Sequence, residues 1–111
     1  MVSHRYNRKK GHDFEREIAK RLRDIGFRRA KRHLEVQREE ANGFDLDHTG
    51  PFAIQCKRTK KYASIETINE IKSDLMPILV TKGNGKPIMV AMTFDDWLKL
   101  AEKFNDSLDR Y

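Results

Sequence analysis

The sequence predicts an α/β fold: a single domain with a central mixed β-sheet flanked by helices. Three observations carry this. Amphipathic segments follow in the order helix, strands, helix, strands, helix. The length, 111 residues, is near the common size of one domain. No internal repeat, low-complexity stretch or linker divides the chain. Hydrophobic content of 38% against 36% charged residues describes a soluble chain with a core and a heavily charged surface. No apolar run approaches the ~18 residues of a membrane span, and the opening "MVSHRYNRKK" lacks a signal-peptide apolar region. The single cysteine, Cys56, permits no intramolecular disulfide and fits a reducing, cytoplasmic setting.

Residues 1–11 read as a flexible basic arm carrying Arg5, Arg8, Lys9 and Lys10, with the folded domain over 12–111. "HDFEREIAKRLRDIGF" predicts a helix. Phe14, Ile18, Leu22 and Ile25 recur at helical spacing, Asp13 suits the N-cap and Gly26 the end. Glu15 falls at the edge of that apolar stripe, facing a semi-buried site better than Glu17 on the far flank. A short strand is expected from about Phe27 to Lys31, extended or followed by another at Leu34 and Val36. Arg28, Arg29, Lys31, Arg32 and His33 form a dense basic cluster beside it.

"FDLDHTGPFAIQCKRT" predicts a β-hairpin about Gly50 and Pro51. Alternation sends Phe44, Leu46 and His48 one way and Asp45 and Asp47 the other. In the second strand Phe52, Ile54 and Cys56 face the core, leaving Gln55 and Lys57 on the opposite face. "SIETINEIKSDL" predicts a second amphipathic helix capped by Ser64, with Ile65, Ile68, Ile71 and Leu75 inward. "PILVTKGNGKPIMVAM" predicts a strand pair, with Pro77 and Pro87 near strand starts. "TFDDWLKLAEKF" predicts a closing helix capped by Thr93, burying Phe94, Trp97, Leu98, Ala101 and Phe104.

The net charge of +6 is unevenly spread. Residues 1–61 hold 17 Lys and Arg against 9 Asp and Glu, whereas residues 62–111 hold 6 against 8. A basic half of this kind suits a polyanionic partner, most simply a nucleic-acid backbone; a solvated basic surface is the plainer alternative. Phosphodiester hydrolysis needs a divalent cation, an activated water and neutralisation of charge on the phosphate. Mg²⁺ takes hard oxygen ligands. Asp45 offers a carboxylate, Gln55 an amide oxygen and Lys57 an ammonium for water or phosphate, while Glu15 can complete the site from the helix. His4, His12, His33 and His48 lack zinc-ligand spacing, and His48 is expected on the apolar side of its strand.

"KGHDFEREIAKRLRDIGF", "GFDLD" and "IQCK" together resemble the PD-(D/E)XK nuclease superfamily, most closely archaeal and viral Holliday-junction resolvases. Lys10-Gly11, Glu15-Arg16 and Gly26-Phe27 match the family's opening; the resemblance covers roughly the first 60 residues and thins beyond. It implies a restriction-endonuclease-like core, with Glu15, Asp45, Gln55 and Lys57 catalytic and Asp45, Gln55 and Glu15 holding Mg²⁺, for which Mn²⁺ can substitute. It further implies a homodimer cutting branched four-way DNA, in a host cytoplasm if the source is viral. Arg5, Arg8, Lys9, Lys10, Arg28, Arg29, Lys31, Arg32, Arg58, Lys60 and Lys61 would hold the DNA backbone. Two departures stand out: Gln55 replaces the usual Glu, and Phe44 replaces the Pro before Asp45. "IQCKR" is also similar to Mrr-type endonucleases, which act on duplex DNA. The carboxamide removes one negative charge, for which Asp47 is the expected compensation. A non-catalytic DNA-binding module on the same fold is the remaining alternative.

Overall fold

Helix α1 spans His4–Asp24 in the computed structural model, which describes residues 4–33 and 42–110, with side chains from residue 7. Phe14, Ile18 and Ala19 are buried and Leu22 is partly so, a helical stripe pressed on a sheet. The helix ends in a Schellman motif: the Phe27 amide donates to Leu22 O (3.0 Å) and the Gly26 amide to Arg23 O (3.1 Å). Gly26, at φ 118°, stops the helix as predicted. The start differs. Residues 4–11, read from sequence as an arm, continue the helix, so Asp13 is not its cap. Asp13 instead bridges Lys9 (3.2 Å) and Arg16 (3.0 Å), pairs that support an exposed helix turn. Ile25 falls beyond the last turn and is exposed.

The chain then turns, the Ala30 amide donating to Phe27 O (3.0 Å) and the Arg23 guanidinium to Ala30 O (2.7 Å). The expected strand at 27–31 is thereby displaced to β1, Lys31–Arg32. The proposed extension at Leu34 and Val36 lies outside the described residues. Strand β2, Leu46–Asp47, pairs antiparallel with β1. Strands β3 (Phe52–Arg58), β4 (Met76–Lys82) and β5 (Met89–Ala91) form a separate mixed sheet in that order, β3 parallel to β4 and β4 antiparallel to β5. Among the described residues the expected central sheet is thus two sheets.

The predicted hairpin is also altered. The turn between β2 and β3 holds His48 at φ 59° and Gly50 at φ 62°, and the Thr49 hydroxyl donates to Phe52 O (2.6 Å). This closes the turn on Thr49 and swings β2 towards β1. His48, expected on the apolar side, is exposed there.

Phe52, Ile54 and Cys56 of β3 pack with Ile78, Val80 and Leu46 against α1. By alternation the other face presents Gln55 and Lys57, beside Leu79 and Thr81 of β4. The crossover from β3 to β4 lies over that second face, where the Ala63 amide donates to the Thr81 hydroxyl (3.0 Å). The predicted second helix is reduced to a 3₁₀ turn, Ile65–Glu70, capped by Ser64 as expected. It stops because Ile71 is extended and the Lys72 amide donates to Asn42 O (2.8 Å), drawing the chain away. Of its four expected inward residues, Ile71 is buried, Ile68 is half-buried, and Ile65 and Leu75 are exposed.

Helix α2, Phe94–Ala101, is capped by Thr93, whose hydroxyl accepts from the Asp96 amide (3.2 Å). A 3₁₀ segment, Glu102–Arg110, continues it. The expected burial fails: Phe94 is 69%, Trp97 51%, Leu98 44% and Phe104 57% exposed, although Ala101 is half-buried. α2 packs chiefly on the segment that follows it, and the molecule is elongated, 53 × 31 × 27 Å. An apolar groove of about 410 Å³ stays open beside α1, lined by Ile18, Leu22, Ile54, Val80, Val90 and Met92 among others. Among the described residues no helix is long and apolar enough to cross a membrane.

Candidate metal and nucleic-acid site

Strand β3 is the edge of its sheet, and Ile54 O and the Cys56 amide point out of that edge together. Asp45 takes both: its amide donates to Ile54 O (2.7 Å) and its Oδ2 accepts from the Cys56 amide (2.7 Å). On its other side Asp45 O accepts from the His33 amide (2.7 Å), so the residue is clamped between β1 and β3. The carboxylate is fixed against the backbone of the residue between Gln55 and Lys57. The sequence expected this meeting; it is reached by docking on an edge instead of through a hairpin ladder.

Gln55 is buried at 5% exposure. Its Nε2 donates to Glu70 Oε2 (3.1 Å), while Oε1 is sealed from solvent and has no hydrogen-bond partner among the described residues. An unsatisfied buried carbonyl oxygen costs about 1–3 kcal/mol, which marks it as a place where a donor or cation belongs. Glu70 was not singled out from the sequence. It sits at the end of a short turn, and its meeting with Gln55 depends on how the crossover lies, which no periodicity encodes.

Gly43 explains how that corner closes. At φ 81° it would, with a Cβ, collide with the Glu70 carbonyl oxygen and stand 3.1 Å from the Ile71 Cα. Glycine lets the chain leading to Asp45 lie on the backbone of Glu70, bringing Asp45, Gln55 and Glu70 to one corner. Lys57 shares the face of Gln55, is half-buried, and has no hydrogen-bond or ion-pair partner among the described residues.

Other expected site residues are placed differently. Of the two helix acids, Glu15 is buried and Glu17 is exposed, paired with Arg21 (3.0 Å). Glu15 accepts from Arg32 (3.4 Å) and lies on the helix that covers the face opposite Gln55 and Lys57. Asp47, the expected compensation for Gln55, is engaged by His33, whose Nδ1 lies 2.7 Å from its carboxylate. His33, given no role from the sequence, is buried and packs at a tilt on Phe44, ring centroids 4.9 Å apart and planes 51° from parallel, so it pins the loop before Asp45.

The expected DNA-contacting cations fall into two groups. Lys9, Lys10, Arg58 and Lys82 line an open cleft of about 340 Å³ with Asp13, Phe14 and Glu17. Lys10 and Arg58 both donate to Asn84 Oδ1 (3.4 and 3.0 Å), and Lys60 and Lys61 are exposed. Arg58 holds this cleft on the α1 side of β3, the face opposite Lys57. Arg16, Arg23, Lys31 and Arg32 line a second open cavity of about 360 Å³, with Arg28 and Arg29 exposed in the preceding turn. Arg32 is engaged by Glu15 and is no exposed phosphate hook. Arg8 is exposed; the side chain of Arg5 lies outside the described residues. The hydrogen bond from Lys9, with further help from Arg16, holds the Asp13 carboxyl below its ordinary value.

The Asp45 carboxylate with the Gln55 amide oxygen is a hard-oxygen pair of the kind Mg²⁺ or Mn²⁺ takes, ions bound through few protein ligands with waters retained. It does not suit zinc. Among the described residues no three His, Cys, Asp or Glu side chains form a ready metal cage. Compared with known proteins, the chain matches no family model, no curated protein and no solved structure.

Proposed function

We propose that this chain is a Mg²⁺-dependent DNA endonuclease with a restriction-endonuclease-like core, acting in the cytoplasm as a homodimer on four-way junctions. The observation that carries the reading is the Asp45 carboxylate fixed at 2.7 Å from the amide between Gln55 and Lys57. Asp45 and the Gln55 carboxamide oxygen would hold the ion, which supplies Lewis-acid charge to the phosphate when bound. Lys57, without a partner among the described residues, positions water or steadies the scissile phosphate. Glu15, buried on the helix that covers the opposite face and paired with Arg32, stands outside this pair of ligands. The Lys9, Lys10, Arg58 and Lys82 cleft receives the backbone flanking the scissile bond.

Two cuts across a four-way junction require two active sites related by a two-fold axis. The apolar ridge of Phe94, Trp97, Leu98 and Phe104 and the apolar groove beside α1 are suited to each other, and a second copy supplies both. Charge agrees: residues 62–111 carry an acidic excess and residues 1–61 a basic one. The exposed ridge offers on the order of 500 Å² per copy, enough with the facing grooves for an interface of about 1,600 Å².

The test is to incubate purified protein with labelled four-way junction and matching linear duplex, with Mg²⁺ or chelator, beside Asp45→Asn. Paired symmetric nicks on the junction alone, absent in the variant, are expected. Equal cutting of duplex supports an Mrr-like enzyme instead. A second reading, a DNA-binding module without catalysis, is favoured by the lack of a three-ligand cage among the described residues. Junction binding with no cutting under Mg²⁺ or Mn²⁺ selects it.

A further inference from the structure

We infer that Glu70 is a positioning residue that turns the Gln55 carboxamide oxygen towards the cation and restores the negative charge the carboxamide lacks. The inference rests on the metal-site reading above. A carboxamide has two nearly isosteric ends, and only the oxygen binds a cation. With no fixed neighbour, its broad terminal torsion would present nitrogen or oxygen alike. Here a carboxylate, which in its ionised form can only accept, stands 3.1 Å from one end. That end must be the NH₂, so the other end is the oxygen, which is sealed and has no partner among the described residues.

The partner's own placement is fixed. The Glu70 backbone is held against Gly43, and the extended chain that follows is tied by the Lys72 amide to Asn42 O (2.8 Å). The acid that orients Gln55 is therefore fastened to the same loop that delivers Asp45. Together the pair carries one negative charge and one buried oxygen that nothing among the described residues satisfies, the charge and the ligand atom that a glutamate at 55 would present alone. The device divides between two residues what one side chain could do, and it makes the site depend on the crossover from β3 to β4.

The reciprocal exchange tests this. Mn²⁺ binding to the full chain is titrated by electron paramagnetic resonance for wild type, Asp45→Asn, Glu70→Gln and the double variant Gln55→Glu/Glu70→Gln. Glu70→Gln is expected to weaken binding at least tenfold with its melting temperature unchanged. The double variant, with carboxylate and carboxamide exchanged, is expected to recover affinity to within about threefold of wild type. Mg²⁺ should also move the Gln55 side-chain amide resonances in wild type and leave them unmoved in Glu70→Gln. Loss in Asp45→Asn with full binding in Glu70→Gln overturns this inference alone, as does an exchange variant no better than Glu70→Gln. A wild type that binds no Mn²⁺ overturns it together with the metal-dependent reading.

Discussion

Lys57 is a half-buried ammonium with no protein counter-charge among the described residues, one step from a clamped carboxylate and one step from an arginine in a basic cleft. Replacement by methionine keeps the stem and removes the charge. Lys57→Met is expected to lower the cleavage rate by about 10²–10³, the usual cost of one transition-state donor, while junction affinity, measured by gel shift, changes less than threefold. At the same scale, Asp13 responds to acid. Its folded pKa is depressed, first by the Lys9 hydrogen bond, so its contribution to α1 is present above the unfolded carboxylate value. That contribution is lost as pH falls through the lower folded value. Backbone amide shifts of residues 9–16, followed in acid, should titrate in that range in wild type and not in Asp13→Asn.

Among elements, the corner joining β3, the loop before β2 and the 3₁₀ turn is closed by one glycine. Gly43→Ala must strain φ and push against the Glu70 carbonyl. It should lower unfolding free energy by about 1–3 kcal/mol, read as a drop in urea midpoint, and should weaken Mn²⁺ binding through Glu70. Much of the element plan was legible. The α1 stripe, the Gly26 stop, the Ser64 and Thr93 caps and the β4–β5 pair all follow from local pattern. The site was legible in part, because alternation along "FAIQCK" puts Gln55 and Lys57 on one face whatever β3 pairs with. Three features were not. The β2–β1 pairing depends on contacts between residues distant in sequence. The Asp47–His33 pair competes for an acid that strand parity alone assigned to the site. Glu70 reaches Gln55 only through the path of the crossover.

For the whole molecule, the ridge of α2 is the apolar face left uncovered among the described residues. A period-3.6 apolar pattern states that a face will be covered, and it cannot state whether the cover belongs to the same chain. If a second copy covers it, Trp97→Glu with Phe104→Glu should convert dimer to monomer in analytical ultracentrifugation, with Mn²⁺ binding retained and paired nicking lost. The N-terminal helix carries a different consequence. Twenty-one residues make a rod of about 31 Å, as long as the intermediate dimension of the molecule. Its first turns hold Arg8, Lys9 and Lys10 on a pre-formed spiral. A loose tail would surrender about 1–2 kcal/mol of backbone freedom per residue on meeting a polyanion; this rod has already surrendered it during folding. On the proposed four-way junction its cations would act as a fixed gauge, discriminating the angle between two DNA arms where a tail would conform to any.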